Sequence, residues 1–205
     1  MIKSPYSKAK VENWQKITET LISEFPLSND DMIKIVFGSW NDIFKTNVGG
    51  QYKIGKDIMP QPQIMGFLLH ELIPLNLSAR FAGIWRRGEA STEFDAHYIP
   101  NEKYSFEIKT SSSTKGIFGN RSYAQISDKA IKRRGGYLLA VNFEKFEESA
   151  GIPNINLIRF GWLDPADWIG QKAQSGQQSH LIKEARAYKL KILWDANHPK
   201  ESSCS

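Results

Sequence analysis

Two acids and a lysine stand close together in the middle of this chain: Asp95, Glu107 and Lys109. Carboxylates converging from neighbouring strands are oxygen ligands for a hard cation such as Mg²⁺. That ion takes one or two of them and fills its other positions with water and substrate phosphate. An amine beside them can hold the attacking water and lower its pKa, or stabilise the charge that builds on phosphorus. Asp95 and Glu107 on the metal, the peptide carbonyl of Ile108 as a further ligand and Lys109 on the water would make a phosphodiester-cleaving set. Glu107-Ile108-Lys109 is the single Asp/Glu-x-Lys triplet in the chain. A salt-bridged surface hairpin is the plainer alternative, and the local pattern alone does not decide between the two.

The elements that must position these residues follow from the hydrophobic period. Glu93 to Ile99 alternates and reads as a strand, Pro100-Asn101-Glu102 as a turn, and Lys103 to Lys109 as the returning strand of a hairpin. Alternation places Ser105, Glu107 and Lys109 on one face, opposite Tyr104, Phe106 and Ile108. On the partner strand Glu93, Asp95 and His97 share a face. Three helices are expected ahead of the hairpin. One covers roughly residues 7–24 and ends before Pro26, one covers about 30–43, and one covers about 63–81, where Pro74 should kink or split it. Gly49-Gly50 and Pro60-Gln61-Pro62 bracket a loop between the last two. After the hairpin come a polar loop from Thr110 to Gly119 and a basic helix from about Ser122 to Arg134, stopped by Gly135-Gly136. Tyr137 to Phe143 is a continuous apolar run that suits a buried central strand, and Ile155 to Trp162 is a further strand.

The whole chain has 205 residues, 27 Lys plus Arg against 22 Asp plus Glu, and a formal charge of +5. Hydrophobic residues make up 40%, with six Trp, enough for a core and against intrinsic disorder. A single cysteine, Cys204, excludes an internal disulfide framework and a Cys-rich zinc site, and it fits a reducing cytoplasm. No apolar stretch approaches a membrane span, and the first residues lack a secretory pattern, so a cytoplasmic protein with no membrane partner is expected. No linker or repeat is visible. One domain over residues 1–205 is expected, with an N-terminal helical part at 1–50, a catalytic core at 51–194 and a polar tail at 195–205.

Residues 115–134 hold six basic side chains (Lys115, Arg121, Lys129, Lys132, Arg133, Arg134) against one acid, Asp128. Such a segment directly after an acidic metal site is what a polyanionic backbone requires. A solvated helix face is the alternative. These blocks resemble a known family. Asp95 followed by Glu107-x-Lys109, between helices and before a helix and two strands, is similar to the PD-(D/E)XK nuclease superfamily. Gly55-Lys56-Asp57-Ile58, the run from Pro62 to Pro74, Glu107 to Ser113, Gly119 to Gln125, and Arg159 to Asp164 resemble ScaI-type restriction endonucleases.

The resemblance implies an α/β restriction-endonuclease-like core, a mixed central β-sheet flanked by helices with extra N-terminal helices. It also implies a Mg²⁺-dependent type II endonuclease that cuts both strands of a short palindromic double-stranded DNA site. The first motif acid maps to Asp95, the second to Glu107 and the lysine to Lys109. No Pro precedes the first acid, which leaves Glu93 as a weaker alternative to Asp95. Members often place a further acid on the preceding helix, and Glu71 is the matching candidate metal ligand here. A helix-face glutamate paired with a basic residue explains it equally well. Gln125 could reach the site from the following helix.

Asn120 and Arg121 are the favoured base readers, since Asn matches adenine and Arg matches guanine or phosphate. Ser111, Ser112 and Ser113 either contact phosphates or fill a polar loop. Lys115, Lys132 and Arg133 are phosphate candidates, while Arg86 and Arg87 either touch DNA or are neutral. A palindrome calls for a two-fold homodimer, with the N-terminal helices either at that interface or on their own core. Restriction also implies a cognate DNA methyltransferase that protects the host. A repair or junction nuclease of the same fold, and a catalytically dead DNA-binding module, are the alternatives.

Other patterns carry less. Gly50 to Lys56 is close to a phosphate-binding loop, but Asp57 stands where Ser or Thr should hold Mg²⁺. The four histidines, His70, His97, His180 and His198, show no zinc spacing. His97 shares the expected face of Asp95 and reads best as a satisfied surface residue.

Overall fold

The computed structural model describes residues 3–90, 92–120, 135–149, 151–171 and 178–198. A 3-10 turn over Val11–Asn13 leads into helix α1, Trp14–Ser23. The helix starts later than its apolar period suggested, because Lys10 is extended. Helix α2 spans Asn29–Lys45; Ser28 accepts a hydrogen bond from the Asp31 amide, with Asp30 and Asp31 in the first turn and Lys45 in the last. The segment read as a loop contains a small hairpin, β1 (Asn47–Val48) and β2 (Tyr52–Lys53). Gly49 and Gly50 turn it at φ of 62° and 72°, a conformation other residues resist.

Helix α3 runs Pro62–Arg80 without a break. Pro62 sits in the first turn, where its missing N–H costs nothing. Pro74 does not split the helix; it is buried with Ile73 and Leu77 on the core face, and that burial offsets the lost backbone bond.

The remaining elements are β3 (Trp85–Arg87), β4 (Ala96–Tyr98), β5 (Phe106–Ser111), β6 (Phe118–Asn120), β7 (Gly136–Phe143), β8 (Ile155–Leu163), β9 (Trp168–Gly170), β10 (Gln178–Leu181), α4 (Lys183–Tyr188) and β11 (Leu190–Asp195). Six strands form a mixed sheet in the order β11-β8-β7-β5-β4-β3, in which β5 and β7 are parallel and every other pair is antiparallel. The expected α/β class with a mixed central sheet and flanking helices is therefore what the chain adopts.

The hairpin is smaller than its alternation suggested. Glu93, Phe94 and Asp95 precede strand β4 in an irregular bend, Glu102–Tyr104 is a 3-10 turn, and β4 pairs with β5 at Ala96 and Phe106. Strand β5 runs on through Thr110 and Ser111, which the alternation had left in a loop. Strands β3, β6, β9, β10 and β11 and helix α4 were not expected from the sequence. The basic helix expected over 122–134 lies outside the described residues.

All eight residues of β7 are buried, as a central strand with both faces covered must be. Its Tyr137, Leu139, Val141 and Phe143 join the main core with α1, α2 and α3, where Phe25 packs edge-on against Tyr137 and Phe160 at 4.7 Å each. Leu138 and Ala140 point the other way, into a second core with Ile117, Leu163, Trp168, Leu181 and Ala185. That second core seats a three-stranded sheet ordered β6-β10-β9. Trp162 and Trp168 serve the two cores, as expected.

Candidate active site

Strand β5 alternates as the sequence requires. Phe106 and Ile108 are buried in the main core, and Glu107 and Lys109 keep about a fifth of their side-chain surface. Lys109 Nζ donates to Glu107 Oε1 at 2.6 Å and to the Ile108 carbonyl at 3.2 Å. Asp95 reaches the same strand from the bend before β4. Its Oδ2 accepts the Ile108 amide at 2.7 Å, and a fifth of its side chain is exposed. The structure thus brings Asp95, Glu107, Lys109 and the Ile108 carbonyl onto one short stretch of β5.

The contact that sequence reasoning missed is His70. Its Nε2 lies 3.1 Å from Asp95 Oδ2 and its Nδ1 lies 3.4 Å from Glu71 Oε1. The hydrogen bond to Asp95 holds the His70 pKa above the ordinary imidazole value, against the burial that would lower it. Burial likewise opposes ionisation of Asp95. The His70 hydrogen bond, the Lys109 charge and the Ile108 amide together outweigh it and hold the carboxyl below its usual value. No motif spacing marks a lone helix histidine. The usable signal was its place beside Glu71, in the block that resembled the family.

Histidine 97 does not take this role. It pairs in register with Arg86 across β3 and β4, and its Nδ1 is buried with no partner among the described residues. Glu93 is held elsewhere too: Arg86 grips both of its oxygens at 2.9 and 2.7 Å, and the Glu89 amide donates to it at 2.8 Å. That grip pushes its pKa down to about 2. Glu71 pairs with Arg87 at 2.5 Å. Both arginines of that pair are therefore engaged with acids.

Helix α3 carries His70 and Glu71 and docks closely on β5. A Cβ on Gly66 would stand 2.9 Å from Thr110 Oγ1, and Thr110 donates that hydroxyl to the Gly66 carbonyl at 3.0 Å. Between helix and strand opens a groove of about 1140 Å³, lined by Gly66, Phe67, His70, Glu71, Thr110, Ser111, Ser112, Ser113, Phe118, Lys145 and Gln178, among others. Asp95, Glu107 and Lys109 do not line it themselves; His70, which does, bonds Asp95.

The serine loop has an anchor that sequence reasoning also missed. Asn142 Nδ2 donates to the carbonyls of Ser113 at 2.7 Å and Gly116 at 2.9 Å, and its Oδ1 accepts Arg159 at 2.7 Å. Arg159 also donates to the Lys115 carbonyl at 3.1 Å, and its burial drops its pKa to about 10. Lys115 and Asn120 are exposed. Arg121, Gln125, Lys132 and Arg133 lie outside the described residues.

An acid and a Glu-x-Lys strand beside an open groove, set on a mixed sheet, make up the equipment of a nuclease. Comparison with known proteins gives the family. The ScaI restriction endonuclease family model matches residues 4–194. The chain is 48% identical over 180 residues, 87% of this chain and 79% of the relative, to the type II restriction enzyme ScaI of Streptomyces caespitosus. This chain belongs to the ScaI restriction endonuclease family. It is a type II restriction endonuclease, a site-specific deoxyribonuclease, and DNA is its partner. Among the described residues, no helix is long and apolar enough to cross a membrane.

Proposed function

We propose that this endonuclease hydrolyses both strands of a short palindromic DNA site with Mg²⁺, using Asp95, Glu107 and Lys109. The observation that carries the reading is that Asp95 accepts the Ile108 amide while Lys109 donates to both the Ile108 carbonyl and Glu107. The donor set fits the ion. Among the described residues no three His, Cys, Asp or Glu side chains form a closed cage. Two carboxylates and a carbonyl suit a cation that keeps its waters and takes substrate oxygens, which is the habit of Mg²⁺ rather than of a structural zinc. Bound there, Mg²⁺ would polarise the scissile phosphate and acidify a coordinated water.

The chain's own residues do the rest. Asp95 is aimed by two donors on one oxygen. Glu107 and the Ile108 carbonyl present the other oxygens. Lys109 Nζ, held by both of those groups, is positioned to orient the attacking water and offset charge on phosphorus. Ser111, Ser112, Ser113 and Lys115 follow directly on the same loop and contact backbone phosphates. Glu71 is a supporting acid whose pairing with Arg87 opens when a cation enters.

Two copies act on the two strands as a homodimer. The apolar faces of α1 and α2 do not form its interface, because Ile22, Met32, Ile35, Val36 and Ile43 are spent on the chain's own core. The enzyme works in the cytoplasm beside a cognate methyltransferase that shields host DNA. The test is plasmid digestion with and without Mg²⁺, alongside Glu107→Ala. Discrete fragments that require both the ion and Glu107 support the reading. Smearing or structure-dependent nicking would replace it with a repair role, and cutting by Glu107→Ala would remove the proposed site.

A further inference from the structure

We propose that the outer face of the small sheet reads base edges in the DNA major groove, with Gln178 and Asn120 as a facing amide pair and Phe118 beside them. This rests on the proposed reading of Asp95, Glu107 and Lys109 as the cleaving set, with the duplex lying in the groove beside them. Gln178 was not among the residues the sequence singled out.

Three observations carry it. The first is register and burial. Gln178 stands opposite Asn120, Ser179 opposite Gly119 and His180 opposite Phe118. Gly119, Ser179 and Leu181 are buried toward the second core, so Asn120, Phe118, Gln178 and His180 all face outward. The second is continuity. Phe118 and Gln178 line the same groove as His70, Glu71 and the Ser111–Ser113 loop, and His70 bonds Asp95, so the sheet and the acid site meet at the wall of one groove. The third is chemistry. Strands β6, β9 and β10 carry no Asp or Glu, so no side chain of these three strands repels a polyanion; the acids of the groove, Glu71, Glu147 and Glu148, come from other elements.

The side chains left are those that discriminate bases. Two-stranded ribbons enter the major groove. Asn and Gln amides match the adenine N6–N7 edge in a bidentate pair, and an aromatic ring packs on the thymine methyl. An adenine–thymine pair is the target this face fits. The backbone beneath is held: Ser179 Oγ donates to the Asn120 carbonyl at 3.0 Å and the Gln171 amide to the Gln178 carbonyl at 3.0 Å. Among the described residues, the Gln178 side chain has one long 3.5 Å contact from Gln171, which a base edge can replace.

The test starts by mapping the site cut by the wild-type enzyme. Oligonucleotide duplexes then carry that site with each base pair changed symmetrically in turn, and a further set carries 7-deazaadenine at single positions. Kinetics of kcat/KM are measured for wild type, Gln178→Ala and the isosteric Gln178→Glu, which keeps the sheet intact if the alanine variant does not fold. Gln178→Ala is expected to lower kcat/KM on the mapped site about ten- to a hundredfold, and to abolish the penalty for 7-deazaadenine at one adenine. Gln178→Glu should shift preference at that position toward cytosine, whose amino group a carboxylate accepts.

Unchanged discrimination at every position in both variants overturns the proposal. So does an equal loss on all sequences, a mapped site without an adenine–thymine pair, or dissociation of a dimer by either variant, which would make this face a protein interface. Failure of the wild type to cut at discrete sites overturns the groove reading itself, before any variant is compared.

Discussion

Asp95 Oδ2 accepts from both His70 and Ile108, so its carboxylate is aimed before a cation binds. Partners of this kind commonly govern ten- to a hundredfold of metal affinity. His70→Ala is therefore expected to weaken Mg²⁺ binding by about that factor in titration calorimetry, with His70→Gln recovering part of it. Equal Mg²⁺ affinity in His70→Ala and wild type would show that Ile108 alone aims the acid. In the proposed mechanism Lys109 acts on charge in the transition state. Lys109→Ala should lower cleavage about a hundred- to a thousandfold while gel-shift binding of DNA persists; normal cutting by that variant contradicts the mechanism. At this scale the sequence was informative where a motif has spacing. Glu107-x-Lys109 announces itself within one strand. His70 and Asn142 act through space, across 25 and 26 residues of chain to Asp95 and Gly116, and no periodicity reports such a meeting.

Elements bring those residues together, and two packing details control how well. Helix α3 approaches β5 where residue 66 lacks a side chain and Thr110 bonds its carbonyl. Gly66→Val should push α3, with His70 and Glu71, off the strand. The expected outcome is a loss of about 1–3 kcal/mol in urea unfolding and a larger proportional loss of cleavage than of stability. The serine loop hangs on Asn142. Asn142→Ala leaves the Ser113 and Gly116 carbonyls and the Arg159 guanidinium short of a partner, and should cost about 1–3 kcal/mol. Faster hydrogen exchange confined to residues 111–118 would check that the loop is what loosens.

Elements differed in how far they could be read from the sequence, and the reason is burial. Strands β7 and β8 are long apolar runs, and α2 has a cap and a clear period, so each declared itself. Strands β9 and β10 have three and four residues, and one face of β10 is polar, Gln178 and His180. Their identity is decided by pairing with each other and, for β10, with β6, which is a tertiary fact. Phe94 and Asp95 alternate like a strand but sit in a bend, because the Gly88 amide, close under Phe94, bonds the Asp95 carbonyl at 3.0 Å.

Across the whole molecule, Lys189 ties the first residues to the last strands. It is buried, bonded to Asp164 at 2.8 Å and to both oxygens of Asp167 at 2.8 Å, and lies over the Tyr6 and Trp14 rings at 4.4 and 4.3 Å. Lys189→Met strands Asp167 without its cation and should cost about 3–5 kcal/mol in denaturant unfolding. A loss under about 1 kcal/mol would mean that the cluster is not a fastening.

Alkali should test the same core. Burial raises the pKa of both Tyr6 and Tyr137 well above the ordinary phenol value. A raised folded pKa gives stability that is full below the unfolded value near 10 and lost as pH climbs past it. Each tyrosine should then cost about 1.4 kcal/mol per pH unit above ~10, and Tyr137→Phe should remove one share of that slope. An unchanged slope in urea titrations would place Tyr137 in contact with water.

Strand β7 sends alternate side chains to the two cores, and its register sets Glu107 beside Leu138 and Lys109 beside Ala140, on the face of the second core. Drift in β6, β9 or β10 is felt through Leu138 and Ala140, not through Leu139 or Val141. The Glu-x-Lys strand therefore shares its face with the residues that seat the small sheet, and a variant that loosens that seating is expected to slow cleavage as well as to unfold more easily.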